Sequence, residues 1–424
     1  HLDPALPKIP YNEFINKELI LFSLEDCERS IASMVDGFKP GQRKIMYACF
    51  KRNLKGEIKI AQLAGYVLEH CAYHHGETSL YSTMIGMAQN FVGSNNLNLL
   101  EPVGNFGSRD QGGKDAAAAR YIFTTLSPLT RYIFHPDDDD VLEYLEDEGM
   151  KIQPDWYCPT VPTVLINGLA GIGTGWSSNV PNYNPRDVVA NLRRMLNNQE
   201  PEPMTPWYRG FQGELVWDEK GGRYLAMGVW RRIDDETVEI TELPIGEWTQ
   251  DYKDALEAAI LKAEEKERKA KNDEVKAAKK KATEAEKKKK KKEEDGDDGD
   301  EDDEEDYGAK AKRGGGRGKK TNDEAEDAGG KKEKDKAKYF KGMQIKDFKE
   351  YHTTTRVHFV VTSPTIASMT DAEIVKSMKL STSIAVSNMH LFDGGGQIKK
   401  YPTAEDILKD FFALRLNFYQ KRKD

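Results

Sequence analysis

The chain has 424 residues, 38% of them hydrophobic, and a formal net charge of −8. With a mean hydropathy of −0.71, this composition excludes one evenly packed globule and a uniformly basic nucleic-acid binder, but not local basic faces. Four cysteines without a C-x-x-C pair give no disulfide framework or zinc ribbon and fit a reducing compartment, and no apolar run reaches membrane-spanning length. The length suits two or three domains. The chain opens on His1, with no signal-peptide pattern, and closes on Lys421-Arg422-Lys423-Asp424 without a cap signal, so it is expected to be an excerpt from a longer protein.

Prolines 4, 7 and 10 make residues 1–11 an extended lead-in. Residues 12–35 read as helical, broken near Ser23. Asp36-Gly37-Phe38-Lys39-Pro40-Gly41-Gln42-Arg43-Lys44 is a turn that holds cations on a short leash. The helix after it puts Ile45, Met46 and Cys49 on one side and Lys44, Lys51 and Arg52 on another, a cationic face that suits either solvent or phosphates. Ile60, Leu63, Ala64, Val67, Leu68 and Cys71 repeat with helical period. Tyr73-His74-His75-Gly76-Glu77 breaks that helix, and Thr78 or Ser79 is expected to cap the next, which carries Leu80, Met84, Ile85 and Phe91. Helix, short glycine-containing turn, helix is a helix-turn-helix outline. No Glu or Cys stands at ligand spacing from His74-His75, so no metal site is expected there.

Residues 101–114 form a glycine-rich loop with Arg109 and Lys114, similar to the wing of a winged helix. Behind it stands Arg120-Tyr121-Ile122-Phe123. A phenol beside a fixed cation is a plausible nucleophile toward phosphate. The same pair recurs at Arg131-Tyr132, where Ser127-Pro128 starts a helix with Leu126, Leu129, Ile133 and Phe134 as its buried face. Tyr132 is therefore expected to be packing. The acidic run Asp137 to Asp140 would repel DNA.

Val161 to Gly168 reads as a strand leading into Gly171-Ile172-Gly173-Thr174-Gly175-Trp176, which lacks the helix start of a dinucleotide-binding turn. Ile172, apolar between glycines, suits either a core or a wedge between base steps. Arg186–Leu196 reads as a helix, 211–243 as strands, and Trp248–Leu261 as a helix. Residues 262–338 are lysine, glutamate and aspartate blocks with almost nothing apolar, read as a disordered insertion. Strand alternation returns at Arg356–Val361, helices close the chain, and Ile407, Leu408, Phe411, Phe412, Leu414 and Leu416 begin a long apolar helix.

Further blocks are specific: Asn16-Lys17-Glu18-Leu19, Gln62-Leu63-Ala64-Gly65, Gln89-Asn90-Phe91-Val92-Gly93-Ser94, Gly112-Gly113-Lys114-Asp115, Glu242-Leu243-Pro244, Trp248-Thr249-Gln250, Tyr351-His352-Thr353 and Asp410-Phe411-Phe412. With the 36–44 turn, the His-His turn, Arg120-Tyr121 and the Ile172 loop, they resemble the DNA breakage–reunion region of eukaryotic type II DNA topoisomerases, a type IIA family. They do so in order over nearly all of the chain except 262–338. The resemblance implies an α+β fold, with a winged-helix domain over 12–150, a tower domain over 151–261 and 339–400, and the start of a coiled-coil arm at 401–424.

The same resemblance implies that Tyr121 attacks a phosphodiester and becomes joined to the 5′ end. Arg120 would stabilise that transition state and His75 would help hold the scissile phosphate. Lys39, Tyr73, Ser79 and Trp248 match DNA-contacting positions, Arg43, Lys44 and Lys114 phosphate neighbours, and Ile172 an intercalating wedge; His74 is expected to make a polar contact to DNA, with a buried hydrogen-bonded histidine as the other reading. It further implies double-stranded DNA as partner, a homodimer, no membrane, and a nuclear location. Mg²⁺ is expected on a toprim module and ATP on an N-terminal domain, both outside this chain along with the C-terminal gate. The chain alone is thus expected to cleave poorly. Ala119, where many members have proline, and the charged insertion depart from the pattern. The rival readings are a winged-helix protein that bends DNA without chemistry and a bacterial-type gyrase chain, which shares the 36–44 turn.

Overall fold

Helical periodicity builds the centre of the molecule. In the computed structural model, which describes residues 8–147, 149–294 and 339–424, the helix Ile60–His70 turns Ile60, Leu63, Ala64 and Val67 fully inward. Helix Pro40–Lys51 buries Ile45, Met46 and Cys49 against it, and helix Glu77–Ala88 adds Leu80 and Met84. Each of the Ile, Leu, Val and Met side chains among these contributes about 1.5–3 kcal/mol through burial. The helix pair is backed by a three-stranded antiparallel sheet in the order Ile58–Lys59, Phe123–Leu126, Leu100–Val103. Residues 104–122, which include Tyr121 and part of the stretch read as a wing, are thus the long connection of a hairpin. Thr78 and Ser79 do not cap the second helix: its N-cap is Gly76, and both lie inside its first turn.

The first core does not divide at residue 150. Strand Met150–Pro154 pairs with Tyr144–Asp147, and Val164, Leu165, Ile166, Val180 and Val188 join the residues before them. The terminal helix Ala404–Lys423 buries Ile407, Leu408, Phe411 and Phe418 in the same core. The acidic run has a structural use here. Asp138 is buried and accepts from Arg415 (2.8 Å) and Arg422 (3.3 Å), stapling the terminal helix to the 136–141 turn.

A second core lies under a four-stranded antiparallel sheet, in the order Val229–Arg232, Thr237–Glu242, Phe359–Thr362, Asp347–Glu350. Its middle strands are neighbours in space although the charged segment separates them in sequence. Tyr252, Ala255 and Leu256 pack against it from the helix Thr249–Glu294. A smaller three-stranded sheet, Ser381–Ala385, Arg223–Met227, Glu214–Asp218, closes over Tyr208, Ala226 and Ile384. The chain is therefore α+β, as expected.

Several local expectations change. The first helical stretch is continuous over 11–30, with a π-helical segment at Ile15–Leu19 and no break at Ser23, whose hydroxyl donates back to Leu19 O (2.7 Å). The apolar run after Val161 is not a strand. Pro162 O accepts from Leu165 N and Ile166 N, opening the short helix Thr163–Asn167. The close of the chain includes strands Met389–Phe392 and Ile398–Tyr401 as well as helices. Residues 262–294, expected to be disordered, continue the helix from Thr249. Alanine, lysine and glutamate are strong helix formers, and no glycine or proline interrupts 249–294. The rest of that insertion, 295–338, lies outside the described residues. All four cysteines are free and buried. Among the described residues no helix is long and apolar enough to cross a membrane.

Candidate active site

The 36–44 turn is fixed from inside. Gly37 has φ +68°, and a Cβ there would stand 2.8 Å from Val164 N, so glycine is required. The fully buried Asp36 accepts from Arg43 Nε (2.7 Å) and Nη2 (3.1 Å), Phe38 N (3.0 Å) and Tyr157 N (2.9 Å). Burial alone would lower the Arg43 pKa, but the Asp36 charge outweighs it and raises it. Arg43, expected beside a phosphate, is therefore a core residue: it is 7% exposed and spent on Asp36 and Phe38 O.

Its neighbours stay available. Lys39 Nζ donates to Ala170 O (3.0 Å), and Lys44 Nζ to Cys71 O (2.5 Å) and Ala72 O (3.2 Å). Partial burial lowers both pKa values. Lys39, Lys44, Tyr73, His74, His75 and Ser79 all line one cleft of about 890 Å³. The Tyr73 and His75 rings meet edge-on at 5.5 Å, and His74 Nε2 lies 3.4 Å from Asp147 Oδ2. Six of the expected residues therefore share one concave, partly cationic surface.

Tyr121 is not among the residues that line this cleft. The first N–H groups of helix Ile60–His70 lack intrahelical acceptors. Two of the first go to the loop: Ile60 N donates to Ile122 O (3.1 Å) and Ala61 N to Ala119 O (3.2 Å). Ala119 and Ile122 are buried by this docking, which leaves Arg120 and Tyr121 outside between them. Tyr121 is 65% exposed, and the Arg120 guanidinium lies 4.8 Å from its ring centre. Among the described residues no hydrogen bond, ion pair or ring contact links Tyr121 to His74, His75 or Lys39. Tyr132 does not pack as expected: the residue is 74% exposed, and Leu129 is 50% exposed, whereas Ile133 and Phe134 are buried.

Ile172 stands near the tip of an antiparallel hairpin, Leu169–Gly173 with Trp176–Val180, paired with Ser177. It is 84% exposed, so it does not fill a core. Alternation explains this. Gly171 and Gly173 face helix Ile20–Ser30, where a Cβ on Gly171 would overlap Ser30 O and one on Gly173 would stand 3.2 Å from Cys27 Cα. Ile172, between them, points away. Thr174 N and Oγ1 donate to Asp26 (2.8 and 2.9 Å), tying the tip down.

Trp248 and Lys114 make a third locus. The indole lies over Gly112 and Gly93, edge-on to Phe91 at 5.9 Å. Lys114 reaches toward Asp251 at 3.9 Å. Sequence reasoning missed Asp36, Asp147, Asp26 and the buried pair Arg109–Glu242. The Glu242-Leu243-Pro244 block was visible, but nothing local links its carboxylate to an arginine 133 positions away. Among the described residues no group of three or more His, Cys, Asp or Glu is arranged to hold a metal ion.

A family model for the A subunits of DNA gyrase and topoisomerase IV matches residues 29–297 and 330–424. The chain is 44% identical over its whole length to DNA topoisomerase 2 of Arabidopsis thaliana and 47% identical over 99% of its length to probable DNA topoisomerase 2 of Dictyostelium discoideum. It spans 24% and 25% of those proteins, about a quarter of each. A crystal structure of the Plasmodium falciparum topoisomerase II DNA-binding, cleavage and re-ligation domain superposes with a TM-score of 0.74 at 40% identity, covering 100% of this chain and 48% of that one. Sequence blocks, fold and relatives agree, and the chain belongs to the family formed by the A subunits of DNA gyrase and topoisomerase IV and their relatives.

Proposed function

We propose that this chain is the DNA breakage–reunion part of an ATP-dependent type II DNA topoisomerase. In this reading Tyr121 Oη attacks a backbone phosphorus and the 3′ oxygen leaves. The resulting 5′-phosphotyrosyl ester keeps the bond energy for resealing after a second duplex has passed. A phenol of pKa about 10 is a weak nucleophile near neutrality, so a neighbouring cation must favour the charged transition state. The observation that carries the reading is the presentation of Tyr121: an exposed phenol under the Arg120 guanidinium, held between two buried backbone anchors. His75 steadies the scissile phosphate, and Lys39, Lys44, Tyr73, His74, Ser79, Lys114 and Trp248 hold the duplex, largely through backbone contacts that position without reading sequence. Two copies pair about a twofold axis, one tyrosine per strand. The work is done in the nucleus on chromosomal duplex DNA. The family resemblance assigns Mg²⁺ and ATP to parts of a longer protein outside this chain, which spans about a quarter of the relatives it matches.

The test uses full-length protein, magnesium and linear duplex DNA, quenched with detergent. Protein covalently joined to new 5′ ends is expected, absent in Tyr121→Phe and retained in Tyr132→Phe. An adduct that persists in Tyr121→Phe overturns the assignment. The exposure of Ile172 also supports a second reading, a DNA-bending protein without chemistry. Bending without any adduct in the wild-type protein would select it.

A further inference from the structure

The connection that carries Tyr121 contains no strand between Gly104 and Ile122, so its shape depends on what holds it. Its inner frame is local. Ser108 N and Oγ donate to the Asp115 carboxylate (2.9 and 2.7 Å), Asn105 Nδ2 donates to Asp115 O (2.9 Å), and Ala117 N to Asn105 O (2.9 Å).

Its outer frame belongs to the second core. The Arg109 side chain, 7% exposed, forks onto the Glu242 carboxylate, 3% exposed, with Nη1 3.2 Å from Oε2 and Nη2 bonded to Oε1. Glu242 ends the strand Thr237–Glu242, and its carboxylate also accepts from Leu243 N (3.0 Å) and Gln212 N (3.3 Å). The next loop residue, Asp110, accepts at its carbonyl from Gln250 N (2.9 Å). Two residues further on, Gly112 lies so close under Trp248 that a Cβ would overlap the indole. The loop is thus keyed to the four-stranded sheet and its helix at 109, 110 and 112, and to helix Ile60–His70 at 119 and 122.

We propose that Arg109 and Glu242 are positioning residues for the reaction at Tyr121. A buried ion pair is a poor source of net stability compared with apolar packing of the same size, but a bidentate fork fixes direction as well as distance. The Ser108–Asp115 frame carries that direction along the loop toward Ala119 and Tyr121. The pair therefore sets how the phenol is aimed relative to the second core, and a shift of that core is passed to the nucleophile. This rests on the reading of Tyr121 as nucleophile.

The test compares Glu242→Gln and Arg109→Lys in the full-length protein by adduct formation and amide hydrogen exchange. Misaiming by about 1 Å costs on the order of 100-fold in rate. Glu242→Gln should therefore lower adduct formation at saturating DNA by about 10- to 100-fold, with half-saturating DNA unchanged. Arg109→Lys, which keeps the charge and loses the fork, should lower it less. Exchange should accelerate within 104–122 and stay unchanged in helix Ile60–His70. The proposal is overturned if adduct formation changes less than about twofold, if half-saturation shifts in proportion to the loss, or if exchange rises equally through both cores in both variants. If wild-type protein forms no Tyr121 adduct, the reading of Tyr121 fails separately. The exchange data then judge the pair: acceleration confined to 104–122 keeps it as the anchor of that loop, and none or a uniform rise removes it.

Discussion

Replacing Asp36 by asparagine tests whether the cationic turn is held from inside. Oδ2 accepts from Arg43 Nε and Tyr157 N, and Oδ1 from Arg43 Nη2 and Phe38 N. Each oxygen faces two donors. An asparagine NH₂ group, in either flip, confronts two N–H groups and satisfies neither, while Arg43 loses its counter-charge in a site where it is 7% exposed. Breaking a buried pair from one side costs about 3–5 kcal/mol, a total that already includes the stranded donors at about 1–3 kcal/mol each. Against a stability on the order of 5–15 kcal/mol, that is a substantial fraction of the whole. Urea unfolding followed by circular dichroism should show it. Asp36→Leu with Arg43→Met should recover part of the loss, since the unpaired charge is gone, but Phe38 N and Tyr157 N remain without their acceptor. A loss under about 1 kcal/mol for Asp36→Asn would refute the claim that the pair is desolvated and shapes the turn.

Two further outcomes follow from burial and close approach. Gly112→Ala, at φ +61° beneath the indole of Trp248, should cost about 1–3 kcal/mol and red-shift tryptophan emission; unchanged emission would mean that the contact is loose. Burial raises the thiols of Cys71 and Cys158 to about 11 and that of Cys49 to about 12, from an ordinary value of 9.0. The folded state holds these protons longer than the unfolded one, so the stability they contribute is complete below about pH 9 and is lost as the pH rises through 11 to 12. The urea midpoint should fall across that window, and a flat profile would contradict the burial.

How much could be read beforehand depended on whether the signal was local. The period of Ile60, Leu63, Ala64 and Val67 is a one-helix property, and the helix stands where the period puts it. Gly37 and Pro40 mark the turn because backbone geometry at those positions admits few alternatives. The run after Val161 failed because five residues are too few for periodicity to separate a helical turn from a strand. The helical 262–294 segment was missed because low hydrophobicity was weighed above intrinsic propensity. For the site, the motif drew attention to Tyr121 but could not give its exposure, which comes from two backbone bonds to a helix start some 60 residues earlier in the chain. Arg43 shows the reverse error. In sequence it is one more cation in a basic turn, and only the buried carboxylate seven residues away removes it from the surface.

The Gly-Ile-Gly triplet offers the sharpest separation of scaffold from function. Gly171 and Gly175 are both glycines of one hairpin, but for different reasons. A Cβ at Gly171 would overlap the backbone oxygen of Ser30, which cannot swing aside as a side chain could, whereas Gly175 has nothing within 4 Å and only a positive φ of +79°. Gly171→Ala must therefore lift the hairpin from helix Ile20–Ser30, loosening the Thr174–Asp26 bonds and the Lys39–Ala170 contact that lie on either side. Gly175→Ala strains a turn by about 1 kcal/mol and leaves that seat intact. If Ile172 wedges into a base step, its aim depends on the seat. In an end-to-end fluorescence-transfer assay of bent duplex, Gly171→Ala should lose bending to the extent that Ile172→Ala does, while Gly175→Ala keeps most of it. Ile172→Ala itself should leave stability within about 0.5 kcal/mol, since an 84% exposed side chain buries little. Full bending by Ile172→Ala would show that the exposed isoleucine is not the wedge. Full bending by Gly171→Ala alone would show that the wedge works without its seat on the helix.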